Sequence, residues 1–143
     1  MESTLQNEAL RAAHGPIRSN SRAATIAYWS ITALFCLEMC FTAYYEFLPQ
    51  GAQAFTRLGF PSSFFRVELS LAKLVGVAAL LLPMVPGRLK EWAYAGFAIH
   101  LVSAVIAHSS IRDIPLAFVP SSITSVLWAL SYFFWHRSAP ASA

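Results

Sequence analysis

Four long apolar runs, separated by short polar or helix-breaking stretches, organise this chain. They cover about 24–47, 64–84, 91–111 and 115–135. Each holds about 20 residues, enough for a helix to cross a hydrocarbon core of about 30 Å at 1.5 Å per residue. A soluble helical bundle would need polar outer faces at helical spacing. A stretch such as "LVGVAALLLPM" offers none. The pattern therefore predicts an all-α fold: a bundle of four transmembrane helices. "LPQGAQAFTRLGFPSS" joins the first two runs, with Pro49, Gly51, Gly59 and Pro61 as breakers. Its centre, "AQAFTRL", suits one amphipathic turn at a membrane surface. "VPGRLKE" reads as a tight turn in which Glu91 suits a helix start. Pro120 lies inside the fourth run, where it predicts a kink or a late helix start.

Composition supports this reading. Apolar residues make up 57 % and charged residues 12 %, against about 45–50 % and 25 % in soluble chains. The net charge of +3 does not point to nucleic acid, because the basic residues sit at run ends and form no patch. They set topology instead. Arg11, Arg18, Arg22, Arg88, Lys90 and Arg137 fall on one side and Arg57, Arg66 and Arg112 on the other, a split of six to three. The positive-inside rule puts both termini in the cytoplasm. Trp29, Trp92 and Trp135 lie near run ends, as interfacial aromatics do. Residues 1–23 form a polar tail, 24–136 the membrane domain and 137–143 a second tail. The acids Glu2 and Glu8 argue against a mitochondrial transit peptide, and no secretory signal is visible. The expected home is the plasma membrane or the endoplasmic reticulum, as a multi-pass protein.

Ionisable groups inside a span cost about 2.5–3.5 kcal/mol on insertion scales, so those that persist face partners or function. Here they are Glu38, Glu68, Lys73, His100 and His108, with Asp113 and Arg66 near the outer ends. Counting from the centre of each run puts Glu38, Lys73 and His100 at nearly one depth. Glu68 is about 140° around its helix from Lys73, so Lys73 should pair across helices, with Glu38 the nearest acid in depth. Gly96, His100, Ser103, Ala104 and Ala107 form a small-residue face expected to pack closely and turn His100 inward. The bland readings are a structural Glu38–Lys73 ion pair, a hydrogen bond from His100 to Thr124 or Ser125, and solvated His108 and Asp113. No HxxxH or ExxH spacing puts two metal ligands on one helix face, so no metal is expected; no cofactor is expected either. Cys36 and Cys40 are not a CxxC pair and read as small packing residues.

"LKEWAYAGFAIHLVSAVIAH", from residue 89 to 108, resembles the DoxX-like family of small four-helix membrane proteins. "YWSITALF", "RLGFPSSFF", "AKLVGVAALLLP" and "AHSSIRD" support the resemblance, which covers about residues 28–135. The family pattern's lysine before a Leu-x-Gly step is matched by Lys73. Its Ser-His pair is matched by His108, with Ala107 in place of the serine. Its Gly-Asp is matched by Asp113, with Arg112 in place of the glycine. Glu38, Glu68 and His100 depart from the pattern. The resemblance implies a membrane bundle, and for a few members a role as a small subunit of thiosulfate:quinone oxidoreductases or thiol-stress complexes.

Two functions remain open from the residues. Carboxylates and imidazoles in a low-dielectric pocket are acid–base equipment. A membrane enzyme could use Glu38, Glu68, His100, His108, Lys73 and Asp113 to isomerise, cyclise or open an epoxide on a lipophilic molecule of a biosynthetic pathway. Alternatively, the chain is a non-catalytic accessory subunit of a quinone-linked or redox complex, with Tyr44, Tyr45, Phe118 and Trp128 forming a ring-binding slot. Transport is a third, weaker reading. Expected partners are the lipophilic substrate and membrane lipids, plus either a second copy or an enzyme of the same pathway.

Overall fold

A computed structural model describes residues 17–60 and 62–138. Among these residues the regular structure is all helical, with short links between the helices. The helices are α1 (Ile17–Phe47), α2 (Pro49–Arg57), α3 (Ser63–Leu81), α4 (Gly87–Ser110) and α5 (Phe118–Ser138), with a 3-10 turn at Pro115–Ala117 before α5. The expected run 24–47 ends where α1 ends, but α1 begins earlier, so part of the anticipated polar tail is helical. The rest of that tail, and residues 139–143, lie outside the described residues. Pro120 falls in the first turn of α5, where its missing N–H costs no hydrogen bond. The late start is thus realised.

The four long helices form a ring in which each packs on two neighbours: α1 on α3 and α5, and α4 on α3 and α5. The α1 face that enters this ring carries Tyr28, Thr32, Phe35, Met39, Ala43 and Glu46, at steps of three and four. Phe35 meets Phe97 of α4 edge to face, with centroids 5.0 Å apart. Val77, Leu80 and Tyr94 complete the core. The outside is apolar: Ile26, Leu37, Phe41, Phe64, Val75, Ile99, Ile106 and Val126 are all exposed. A continuous apolar surface of this kind suits lipid and not water.

Three helical segments are long and apolar enough to cross a membrane: Arg22–Phe47, Gly87–Ser110 and Pro115–Ser138. α3 is not among them, because its 19 residues include Arg66, Glu68 and Lys73. Two of those charges are turned inward to partners, as described below.

α2 is a nine-residue helix starting on Pro49, longer than the single turn expected. It folds back on the end of α1, and Gly51 permits the approach. A Cβ there would stand 2.3 Å from the Tyr45 carbonyl oxygen and 2.7 Å from the Glu46 Cα. Gly59 ends the turn after α2 at φ 89, a conformation glycine adopts without strain.

Candidate functional site

The sequence places Lys73 opposite Glu38, and the structure corrects this. Lys73 Nζ donates to Glu46 Oε1. The two side chains are only 4 % and 9 % exposed. Ser70 Oγ donates to Glu46 Oε2 at 2.6 Å, and the Arg66 guanidinium donates to the Glu46 carbonyl. Side-chain direction explains the correction. Helical side chains lean toward their own N-terminus. α1 and α3 run antiparallel, so Lys73 leans toward the α2 end of the bundle while Glu46 leans away from it. The two heads converge. Glu38 leans in the same direction as Glu46 and so away from Lys73. Counting Cα depth alone misses this.

Glu46 is thus the acid that sequence reasoning overlooked. The available signal was the buried stripe of α1, since Glu46 is three residues from Ala43 and seven from Met39. Glu38 lies off that stripe and faces α5. Its Oε1 accepts from Thr124 Oγ1, while Thr124 also lies 2.8 Å from its own helix carbonyl at Pro120. Glu38 Oε2 is buried without a hydrogen-bond partner among the described residues.

His100 is placed differently again. It lines a cavity of about 520 Å³ between α3 and α4. Lys73 reaches the same cavity, whose other walls include Leu69, Ala72, Gly76, Trp92 and Phe97. Lys73 and His100 are its two ionisable lining residues. His100 makes no hydrogen bond to the described residues, as Thr124 is taken by Glu38 and Pro120, and Ser125 donates to Ser121. The small-residue face of α4 does not turn inward as expected. The buried face of α4 is Lys90, Tyr94, Phe97 and Leu101, while Gly96 and Ser103 are exposed.

The remaining candidates are elsewhere. Glu68 is exposed on α3. His108 Nδ1 lies 2.9 Å from Asp113 Oδ2. Asp113 also receives Arg57 of α2 and the backbone N–H of Ile114. The hydrogen bond with His108, then the Ile114 N–H and the Arg57 guanidinium, hold this carboxyl below the usual carboxylate range. This cluster clasps α2 to the link between α4 and α5. The left-handed backbone of Arg112, φ 48, turns the chain there. The six residues read as acid–base equipment therefore divide: Lys73 and His100 line the cavity, and Glu38, Glu68, His108 and Asp113 do not. Tyr44 and Tyr45 are exposed, Phe118 lies against His108, and Trp128 donates to the Tyr94 carbonyl at 3.0 Å. They form no common slot.

A hydroxyl chain ties the other side of the core. Ser131 shares hydrogen bonds of 2.7 Å with both Thr32 and Tyr94. Three helices meet there, so this chain reads as bundle glue. Among the described residues no group of three or more His, Cys, Asp or Glu side chains is arranged to hold a metal.

A chain whose described residues fold into helices, three of them apolar and of membrane length, with an apolar exterior, is a membrane protein. Its residues 30–130 match the model of the DoxX-like family, and the chain belongs to that family. No curated protein and no solved structure matches it.

Proposed function

We propose that this chain is a multi-pass membrane enzyme that moves protons on a lipophilic small molecule held between α3 and α4. One observation carries the reading. An imidazole within a membrane helix, without a hydrogen-bond partner among the described residues, lines an otherwise apolar cavity beside a buried ammonium. Ionisable groups at such positions mark function. The cavity volume is that of small-molecule sites, about 300–1,000 Å³.

The chemistry that fits is isomerisation of a β,γ-unsaturated ketone. The substrate carbonyl would face Lys73, which uses one of its three ammonium protons on Glu46 and keeps others free. The neutral His100 imidazole takes a proton from the carbon between the carbonyl and the alkene. The dienolate oxygen is stabilised by the ammonium. The imidazolium returns the proton to the far alkene carbon, and the double bond moves into conjugation. No atom or electron is gained or lost, so no cofactor is required. Glu38, Glu68, His108 and Asp113 are outside this step.

The test follows formation of the conjugated enone by its ultraviolet absorbance, in membranes holding wild type or His100→Gln. Wild-type membranes should convert the ketone and the variant should not. If wild type is no faster than membranes lacking the chain, the isomerase reading fails and the accessory-subunit reading replaces it.

We also infer that α3 crosses the membrane with its neighbours, giving four spans and cytoplasmic termini. α3 packs along both α1 and α4, and its Lys73 and Arg66 are neutralised or capped inside the bundle. Cysteine tags at both ends should react with an impermeant maleimide only after the cells are opened. Labelling of either end in intact cells would reverse the topology.

A further inference from the structure

Two glycines line the cavity, and only one is explained by the protein itself. At Gly76 an added Cβ would sit 2.8 Å from the Phe97 ring, so α3 and α4 need a glycine there to pack. At Gly96 an added Cβ would meet nothing within 4 Å. Glycine is a poor residue for the interior of a 24-residue helix. Alanine would fit Gly96 and would favour the helix. The bare backbone therefore keeps space in the cavity that the chain leaves open.

The neighbours of that space have a definite order. Trp92, Gly96 and His100 follow one another at steps of four, so they lie along one stripe of α4 and all line the cavity. Adjacent members are about 6 Å apart along the axis. An indole, a gap and an imidazole in succession make a seat for a flat ring. A linear acyl chain needs no such gap, because it bends past a methyl group.

Resting on the cavity reading above, we infer that the occupant is a ring-bearing lipophile. Its ring lies on the Gly96 backbone against Trp92, and its polar ring substituent points to His100 and Lys73. Gly96 is thereby a specificity-determining residue: the missing side chain is the recognition element.

The experiment uses the full chain in lipid nanodiscs and tritiated 2-naphthol, a flat ring with one hydroxyl. Wild type should bind it, and 1-decanol, a linear alcohol, should displace it poorly. Gly96→Ala should weaken binding at least tenfold, and Gly96→Leu should abolish it. Gly96→Ala should melt at or above the wild-type temperature, which separates lost space from lost fold. Equal binding by wild type and Gly96→Ala overturns the inference. So does displacement by 1-decanol as effective as by unlabelled 2-naphthol, which would make the cavity an acyl-chain groove and leave the cavity reading standing. If wild type binds neither probe, the cavity reading itself fails, and the ring inference with it.

Discussion

Lys73→Met is expected to lower the stability of the bundle by about 3–5 kcal/mol, the cost of leaving one member of a buried ion pair without its partner. Methionine replaces the stem of lysine well, so the loss is electrostatic. Glu46 keeps the Ser70 hydroxyl and loses the cation that its carboxylate has among the described residues. Thermal melting in a mild detergent measures the effect. Adding Glu46→Gln should recover much of it, because a neutral amide is cheaper to bury than an unpaired charge. Adding Glu38→Gln should recover nothing, since Glu38 bonds Thr124 on the opposite flank. Rescue by Glu38→Gln in place of Glu46→Gln would show that the pairing has been misassigned.

His100→Gln is expected to reduce turnover by about 10²–10⁴-fold, the usual worth of a general acid–base group. Unlike Lys73→Met, it should leave the melting temperature almost unchanged. The reason is on the protein side: His100 makes no hydrogen bond to the described residues, so its removal orphans no partner among them. Glutamine keeps polarity and similar bulk but cannot take up and return a proton as imidazole does. A variant that folds, binds ligand and fails to turn over is the signature sought. A variant with full turnover sinks the catalytic assignment of His100. Glu68→Gln should be silent in the same assay, since Glu68 is exposed and away from the cavity.

The helical class was legible in the sequence because apolar runs of membrane length leave few other folds. Three of the four expected runs are apolar enough by themselves; the run at 64–84 is not, for the charges it carries. The site was legible only in part. Of the three residues counted to one depth, Lys73 and His100 line one cavity and Glu38 does not. The acid for Lys73 was misread because depth was counted along Cα positions. The direction in which each side chain leans decides such pairs when helices run antiparallel. His108 and Asp113 were placed near one end of the third run, and they are bonded to each other there. Their bond with Arg57 joins residues 56 apart in sequence, through α2, which no periodicity reveals.

The cavity between α3 and α4 opens sideways, for Val75, Leu89 and Trp92 on its rim are all more than half exposed. At the α2 end, the Arg57–Asp113–His108 clasp ties surface helix to loop. On the cavity reading proposed above, a guest would arrive by lateral diffusion within the leaflet and not from water. Occupancy then follows the guest's mole fraction in lipid. Diluting a fixed amount of guest with more lipid should empty the cavity in proportion, even though the total aqueous concentration is unchanged. Titrating empty vesicles into loaded proteoliposomes measures this, and occupancy that stays constant through the titration would mean entry from the aqueous side. The partition of the guest into the bilayer thus becomes part of its affinity, and oilier molecules gain occupancy with no new contact to the protein.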